Sequence, residues 1–380
     1  MALSRVCRLA FLDLVHRPGR TAAALAGVIF AVVLLFMQSG FYLACRDSAT
    51  RIHDLLEFDV LITSARYAFV LKPDAVERDR VLQARAVPGV ADVMMVQVGP
   101  GQWRSPGSGS TYDLVLLGID PADRPFALES LDDDLPQLHR GESVIFDAAA
   151  HPILGHNPPG TRTEFEGRSL RVVDSFRWGA GFVANGIAVA SQATFAKAFP
   201  GRPPSMAQLG LVRAETGVSA AEVARRLRNR LPADIEVWTR DAIEDRDRRF
   251  FLAERPIGLM FTSGVVLALL VGGVIIFQLL ASEVASRRPE FATLKALGYG
   301  SGEVYGVVVA QGFLYTLAAF LPAVFLAALL FEVTRRLARL PMRLDPLLCG
   351  AVLVASLVMC LSGALMAARK VRQADPADLF

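Results

Sequence analysis

Few residues of this chain have the types and spacing that chemistry requires. His151 and His156 lie five apart, close to Asp147. Metal ligation would need a third ligand at a matching interval, and none follows; a turn beside Pro152 explains them as well. Ser175, Asp174 and the histidines form no nucleophile motif. Gly298-Tyr299-Gly300-Ser301-Gly302 is glycine-rich but has no Lys, so it reads as a helix stop and not as a phosphate-cradling loop. The chain is therefore expected to be non-catalytic, to hold no metal or other cofactor and to take energy from elsewhere. The most informative segment is the one before that stop. Phe291, Leu294 and Leu297 share one helical face, with Glu290 and Lys295 elsewhere. Such a helix either lies on a membrane surface or docks its apolar face into a groove on a soluble partner.

The segment lies between two apolar runs, and the wider chain explains why. Its 380 residues are 53% hydrophobic yet 20% charged, with a mean hydropathy of +0.40. Those figures fit if the apolar residues are concentrated in a few spans. A net charge of +3 is too small to argue for nucleic acid. About 20 apolar residues cross about 30 Å of hydrocarbon, and four segments qualify: 21–44, 257–282, 304–331 and 347–368. The first has an apolar run longer than a signal core and follows four arginines, so it is expected to be retained. Gln38, Gln278 and Gln311 lie inside spans, as interhelical glue or along a substrate path. No charged residue or His sits mid-span, which argues against a proton- or sodium-driven transporter. Gly264, Gly272 and Gly273 permit close helix packing, within the chain or between copies.

Loop charge sets the direction. The segment 1–20, the loop 283–303 and the tail 369–380 are all basic and fall on one side, expected to be cytoplasmic. The loop 332–346, with Arg335, Arg336, Arg339 and Arg343, disagrees, and is read as an interfacial helix. Residues 45–255 then form one extracytoplasmic insertion. None of the four Cys lies between 46 and 348, so a hydrophobic core must hold that region together.

Alternating runs predict strands at Asp59–Thr63, Asp92–Gln97, Tyr112–Leu117, Ser143–Phe146, Ser169–Val173, Ile187–Ala190 and Gln208–Val212. Helices are predicted from Lys72 to about Ala86, over Ser191–Ala198, and from Val218 to about Leu231. Residues 237–255 read as a charged helical stalk running into the second span. The segment Trp178-Gly179-Ala180-Gly181-Phe182 reads as an exposed loop tip, with Trp178 and Phe182 as candidate partner contacts. The fold class that follows is an α-helical membrane protein with four transmembrane helices and a large extracytoplasmic α+β domain inserted between helices 1 and 2.

The stretch from Glu290 through Leu294-Lys295-Ala296-Leu297-Gly298-Tyr299 resembles the loop after the second membrane helix of FtsX-like and MacB-type ABC transporter permeases. Val87-Pro88-Gly89-Val90, Leu117-Gly118-Ile119-Asp120-Pro121 and Gly141-Glu142-Ser143-Val144-Ile145 resemble phrases of the MacB-like periplasmic domain. The Asp375-Pro376-Ala377 tail resembles the family ending. With Leu340-Pro341-Met342, the wording is most similar to the DevC-type exporter branch.

The resemblance implies a bacterial inner-membrane, multi-pass permease with cytoplasmic termini, working as a homodimer by mechanotransmission. ATP and Mg would be held by a separate ABC ATPase subunit, coupled through Glu290, Phe291, Thr293, Leu294, Lys295, Leu297 and Gly298. A periplasmic membrane-fusion adaptor, an outer-membrane channel and membrane lipid complete the implied partners. The alternatives are an FtsX-like signalling subunit that activates a cell-wall hydrolase, a lipoprotein-releasing permease, and a ligand sensor.

Overall fold

The computed structural model describes residues 18–286 and 301–372. The chain divides into two compact units. One comprises Ala44–Leu259 with Leu337–Pro341, and the other takes the described residues of 1–43, 260–336 and 342–380.

The second unit is helical: α1 (Pro18–Ser48), whose last turn belongs to the first unit, α8 (Pro256–Ser286), α9 (Ser301–Ala338) and α10 (Pro346–Arg372). Each is long and apolar enough to cross a membrane, over Thr21–Ser48, Pro256–Ser286, Val308–Ala338 and Pro346–Ala367. The helix α9 runs beyond its predicted end, so the expected loop 332–346 shrinks to 339–345. Arg335 and Arg336 lie on its last turns and pair with Glu332, which lets polar residues continue the helix. It stops where Arg339 enters the left-handed region at φ 54°.

Small residues set the helix spacing. A methyl group on Gly264 would lie 2.5 Å from Gln38 Oε1, and one on Gly272 would meet Met359 Sδ and Ala31. Both glycines therefore serve packing inside the chain, whereas Gly273 faces open space. Gln311 is buried, while Gln278 is exposed and provides no glue within this chain. Cys45, Cys349 and Cys360 are free.

The first unit is built on one nine-stranded sheet. Its strands are β1 (Val60–Ser64), β3 (Val90–Arg104), β4 (Thr111–Ile119), β5 (Ser143–Asp147), β6 (Arg162–Phe165), β7 (Arg168–Phe176), β8 (Ile187–Ser191), β10 (Leu209–Ala214) and β11 (Ile235–Thr239). A two-stranded ribbon joins β2 (Val76–Glu77) to β9 (Met206–Ala207). The helices are α2 (Arg51–Leu55), α3 (Arg78–Leu82), α4 (Glu129–Asp134), α5 (Gln192–Ala198), α6 (Ala220–Arg230) and α7 (Arg240–Ala253).

Four strands stand in the order β11-β1-β10-β3 with antiparallel neighbours, and α3 and α6 make the two crossovers. That is the split βαβ arrangement of ferredoxin-like folds. Between β3 and β10 the chain adds β4-β8-β5-β7-β6, and the pairing of Trp103 with Phe165 returns β6 to β3, closing a ring. Strand alternation divides the core. Leu61 faces one cluster while Val60 and Ile62 face that of α6; likewise Val115 and Leu117 face away from Leu114 and Leu116.

All seven predicted strands are present, and α5 and α6 match their predictions. Serines cap both: Ser191 accepts from Thr194 N, and Ser219 from Glu222 N. The helix expected over 72–86 is instead β2, α3 and a 3₁₀ turn, because Val76 pairs with Ala207 before the helix begins. The expected stalk is also corrected. Residues 235–239 are β11, and α7 buries Ile243, Asp247 and Phe251 in the domain before a break at Glu254 and Arg255 separates it from α8.

Two carboxyls in this unit predict its acid behaviour. Burial raises Asp132 to about 6, eased by the Phe126 amide. Burial, then Asp120 and Asp92, raises Asp123 to about 6. The unfolded chain releases these protons near pH 4, so the native state holds more protons between about pH 4 and 6. Stability should therefore rise as pH falls through that window. The urea midpoint is expected to be higher at pH 5 than at pH 7, with a smaller difference in Asp132→Asn; an equal difference would remove Asp132 from the account.

Candidate functional site

The proposed coupling residues Glu290, Phe291, Thr293, Leu294, Lys295, Leu297 and Gly298 lie outside the described residues. The described chain does contain the two stretches by which the sheet domain joins α1 and α8, namely residues 44–55 and 240–259. Each is held by a polar cluster.

The first cluster grips the end of α1. Ser48 Oγ donates to Ala44 O at 2.7 Å and accepts from Phe182 N at 3.3 Å. Arg51 donates to the carbonyls of Ala180, at 3.0 Å, and Trp178. Its guanidinium lies 4.5 Å from the centre of the Trp178 ring, and the indole N–H donates back to Arg51 O at 3.2 Å. Asp147, fully buried, accepts from Ala149 N, Trp178 N and Gly179 N at 2.8–2.9 Å. Burial raises its carboxyl above the usual range, and these amides and Arg51 oppose the rise.

The loop needs its glycines. Gly179 has φ 98°, and a methyl group on Gly181 would press on Ser48 Oγ. This corrects the loop-tip reading: Trp178 and Phe182 are half-buried and folded onto their own domain. The cause is Arg51 and Asp147, whose charges draw the loop backbone inward.

The second cluster fastens α7 to α2 and the turn after β1. Asp247 Oδ2 lies 2.8 Å from His53 Nε2, accepts from Tyr67 O–H at 2.8 Å and from Val70 N at 3.2 Å. The His53 and Asp247 side chains are 0% and 1% exposed, so the pair is dry. Oδ2 already accepts from Tyr67 and Val70, and an imidazole N–H at Nε2 completes the set as a third donor. Burial, then the Asp247 charge, raises the Tyr67 phenol well above its usual range, keeping it a donor. Among the described residues Asp247 Oδ1 and His53 Nδ1 have no hydrogen-bond partner.

Two turns earlier, Arg240 donates to the carbonyls of His53 (3.1 Å), Leu56 (2.6 Å) and Phe58 (3.1 Å). Its guanidinium also stacks over the Phe58 ring at 4.1 Å. Arg246 sits between the rings of Tyr67 and Trp238 and pairs with Glu236 at 3.2 Å. Phe69 stacks on Phe250 with centroids 5.2 Å apart.

None of His53, Tyr67, Arg240 or Asp247 stood out in the sequence. The available signal was an Asp inside the apolar repeat Ile243, Asp247, Phe251, a core position where a carboxylate must find donors. The histidines that did draw notice play a local part: His151 Nδ1 accepts from Ile153 N at 3.3 Å, capping a turn. Among the described residues no group of three His, Cys, Asp or Glu could hold a metal ion. Charge-assisted hydrogen bonds join two chain segments nearly 200 positions apart, at the points where the domain meets α1 and α8.

Residues 262–376 match the FtsX-like permease C-terminal family. No curated protein matches the chain in sequence. Among solved structures, the periplasmic region of MacB from Actinobacillus actinomycetemcomitans is 15% identical with a TM-score of 0.35, over 51% of this chain and 94% of that one. The extracellular domain of the noncanonic ABC-type transporter YknZ from Gram-positive bacteria is 15% identical with a TM-score of 0.33, over 48% of this chain and 99% of that one.

Proposed function

We propose, from the match of residues 262–376 to the FtsX-like permease C-terminal family, that the protein is the membrane subunit of an ABC-type export complex. It carries ATP-driven motion from a separate ATPase, which holds the ATP and Mg, to its own sheet domain. Four span-capable helices with the domain between the first two supply the architecture. The observation that carries the mechanism is the pair of clamps at residues 44–55 and 240–255. The attachment around Asp247 is dry and that around Arg51 is half-buried, and both would pass a displacement of the adjoining helices to the sheet, because packed interiors deform little. The substrate would already lie in the periplasm or the outer leaflet and leave through a duct built by a membrane-fusion adaptor and an outer-membrane channel. Two copies of the chain would act together in the inner membrane, with their termini in the cytoplasm. The adaptor assignment rests on the DevC-like wording of the 290–299 segment and of residues 340–342.

The ATPase contact has a direct test. Leu294→Asp puts a charge in the middle of the apolar face that the sequence predicts with Phe291 and Leu297. Stimulation of ATP hydrolysis by this chain is expected to fall about tenfold, since desolvating a carboxylate in an apolar groove costs more than 1.4 kcal/mol, while insertion stays normal. Undiminished stimulation would remove the docking role. Crosslinking in native membranes followed by mass spectrometry tests the wider complex. Recovery of an ATPase with an adaptor supports export, and an ATPase with a wall hydrolase would replace export by signalling. Recovery of no ATPase would overturn the reading.

A further inference from the structure

The sheet domain holds a polar concavity that the clamps do not use. It encloses about 640 Å³ between the β6–β7 hairpin and the segment 137–143. Arg140, Arg162 and Arg171 line it, together with Glu142, Ser143, Ser169 and Gln137. Arg162 and Arg171 are paired directly across the two antiparallel strands. Like charges opposed in this way destabilise a hairpin.

Several other arginines of the domain meet acceptors. Arg80 pairs with Asp234, Arg124 with Asp133, Arg213 with Glu57, and Arg202 and Arg228 donate to carbonyls. Arg140, Arg162 and Arg171 are exposed, and none of their guanidinium groups has a carboxylate or carbonyl partner among the described residues. The acids nearby are engaged: Glu142 by Lys197 at 3.4 Å, Glu164 by Arg104 at 3.3 Å, and Asp174 by the Gln137 amide at 2.8 Å. Glu142 also sits at φ 57°, a conformation uncommon for a residue with a side chain.

We infer that this concavity is a binding site for a phosphate-bearing ligand carrying at least two negative charges. One carboxylate fills one guanidinium fork, whereas a phosphate monoester or diphosphate offers oxygens to several forks at once. An anion seated there turns the Arg162–Arg171 opposition into joint attraction. The inference stands independently of the permease reading, because it concerns only the sheet domain.

The test uses the full chain in detergent micelles with inorganic pyrophosphate as probe, followed by titration calorimetry and by the unfolding midpoint. The wild type is expected to bind one pyrophosphate per chain, with a midpoint that rises on binding. Arg162→Gln and Arg171→Gln should each weaken binding by about tenfold or more. Without probe they should unfold no earlier than wild type, since each removes a repulsion. Arg168→Gln, on the same hairpin but outside the concavity, should bind as wild type does.

Absence of saturable binding would overturn the site. So would equal weakening by Arg168→Gln, which would mark diffuse electrostatics. Micelles containing phosphatidic acid separate two sources of the phosphate. Retention of that lipid, competed by pyrophosphate, would assign a lipid headgroup, and pyrophosphate binding without lipid retention would assign a soluble phosphate ester.

Discussion

Asp247→Ala is expected to destabilise the sheet domain by about 3–5 kcal/mol, since each buried donor left without an acceptor costs about 1–3 kcal/mol. The substitution strands three donors at once. His53 Nε2, Tyr67 O–H and Val70 N all point to one oxygen in a site closed to water. None can turn to solvent without opening the contact between α2 and α7. Asp247→Asn keeps an oxygen for Tyr67 and Val70 but offers no charge to His53, so a smaller loss of about 1–2 kcal/mol is expected. Urea unfolding of the full chain in detergent checks both, followed by tryptophan fluorescence. Trp103, Trp178 and Trp238 are the only tryptophans of the chain and all lie in this domain, so the signal reports on it alone. A midpoint for Asp247→Ala equal to that of wild type would show that the network does not hold α7.

Arg240→Ala is the second large effect, with an expected loss of about 3 kcal/mol. Hydrogen bonds from a charged donor contribute about 1.5–3 kcal/mol each and do not add in full within one cluster. Here one guanidinium serves the carbonyls of His53, Leu56 and Phe58 while covering the Phe58 ring. Arg240→Lys should recover less than half of the loss, because an ammonium cannot reproduce a planar fork that reaches three acceptors. Under the proposed function the Lys variant has a further use. A folded domain with a loosened α7 should leave ATP hydrolysis by the partner intact and reduce export. Normal export by a folded Arg240→Lys chain would mean that motion reaches the domain by another route.

The same residues show where a linear reading stops. The alternation of Val60, Leu61 and Ile62 announces β1, because neighbouring side chains must face different clusters. The alternation in Ile235–Thr239 is as regular but brief, and the charges that follow drew it into a predicted stalk. It becomes a strand because β1 offers it an edge, from Val60 opposite Thr239 to Ser64 opposite Ile235. The four residues Arg162–Phe165 carry two charges and have almost no strand signal. They become β6 because Glu166 and Gly167, with φ 50° and 71°, turn the chain back onto β7, and Phe165 fills the core beside Trp103. Trp178 looked outward in the sequence and is held inward by Arg51, 127 positions away.

Properties carried by runs of residues were determined by the sequence alone. These are the four span-capable helices, the domain between the first two, most of its strands, and the likeness of the C-terminal part to a permease family. Hydrophobic length and period act over neighbouring positions, and they survive whatever the rest of the chain does. Properties carried by single polar residues were decided only by the tertiary structure. His53 and Asp247 are 194 positions apart, and neither has a neighbour in sequence that announces the other. Their meaning comes from a dry site assembled by α2, α7 and the turn after β1, where an unpaired charge would be too costly to keep. The three arginines of the concavity follow the same rule, since only the register of β6 against β7 sets Arg162 opposite Arg171.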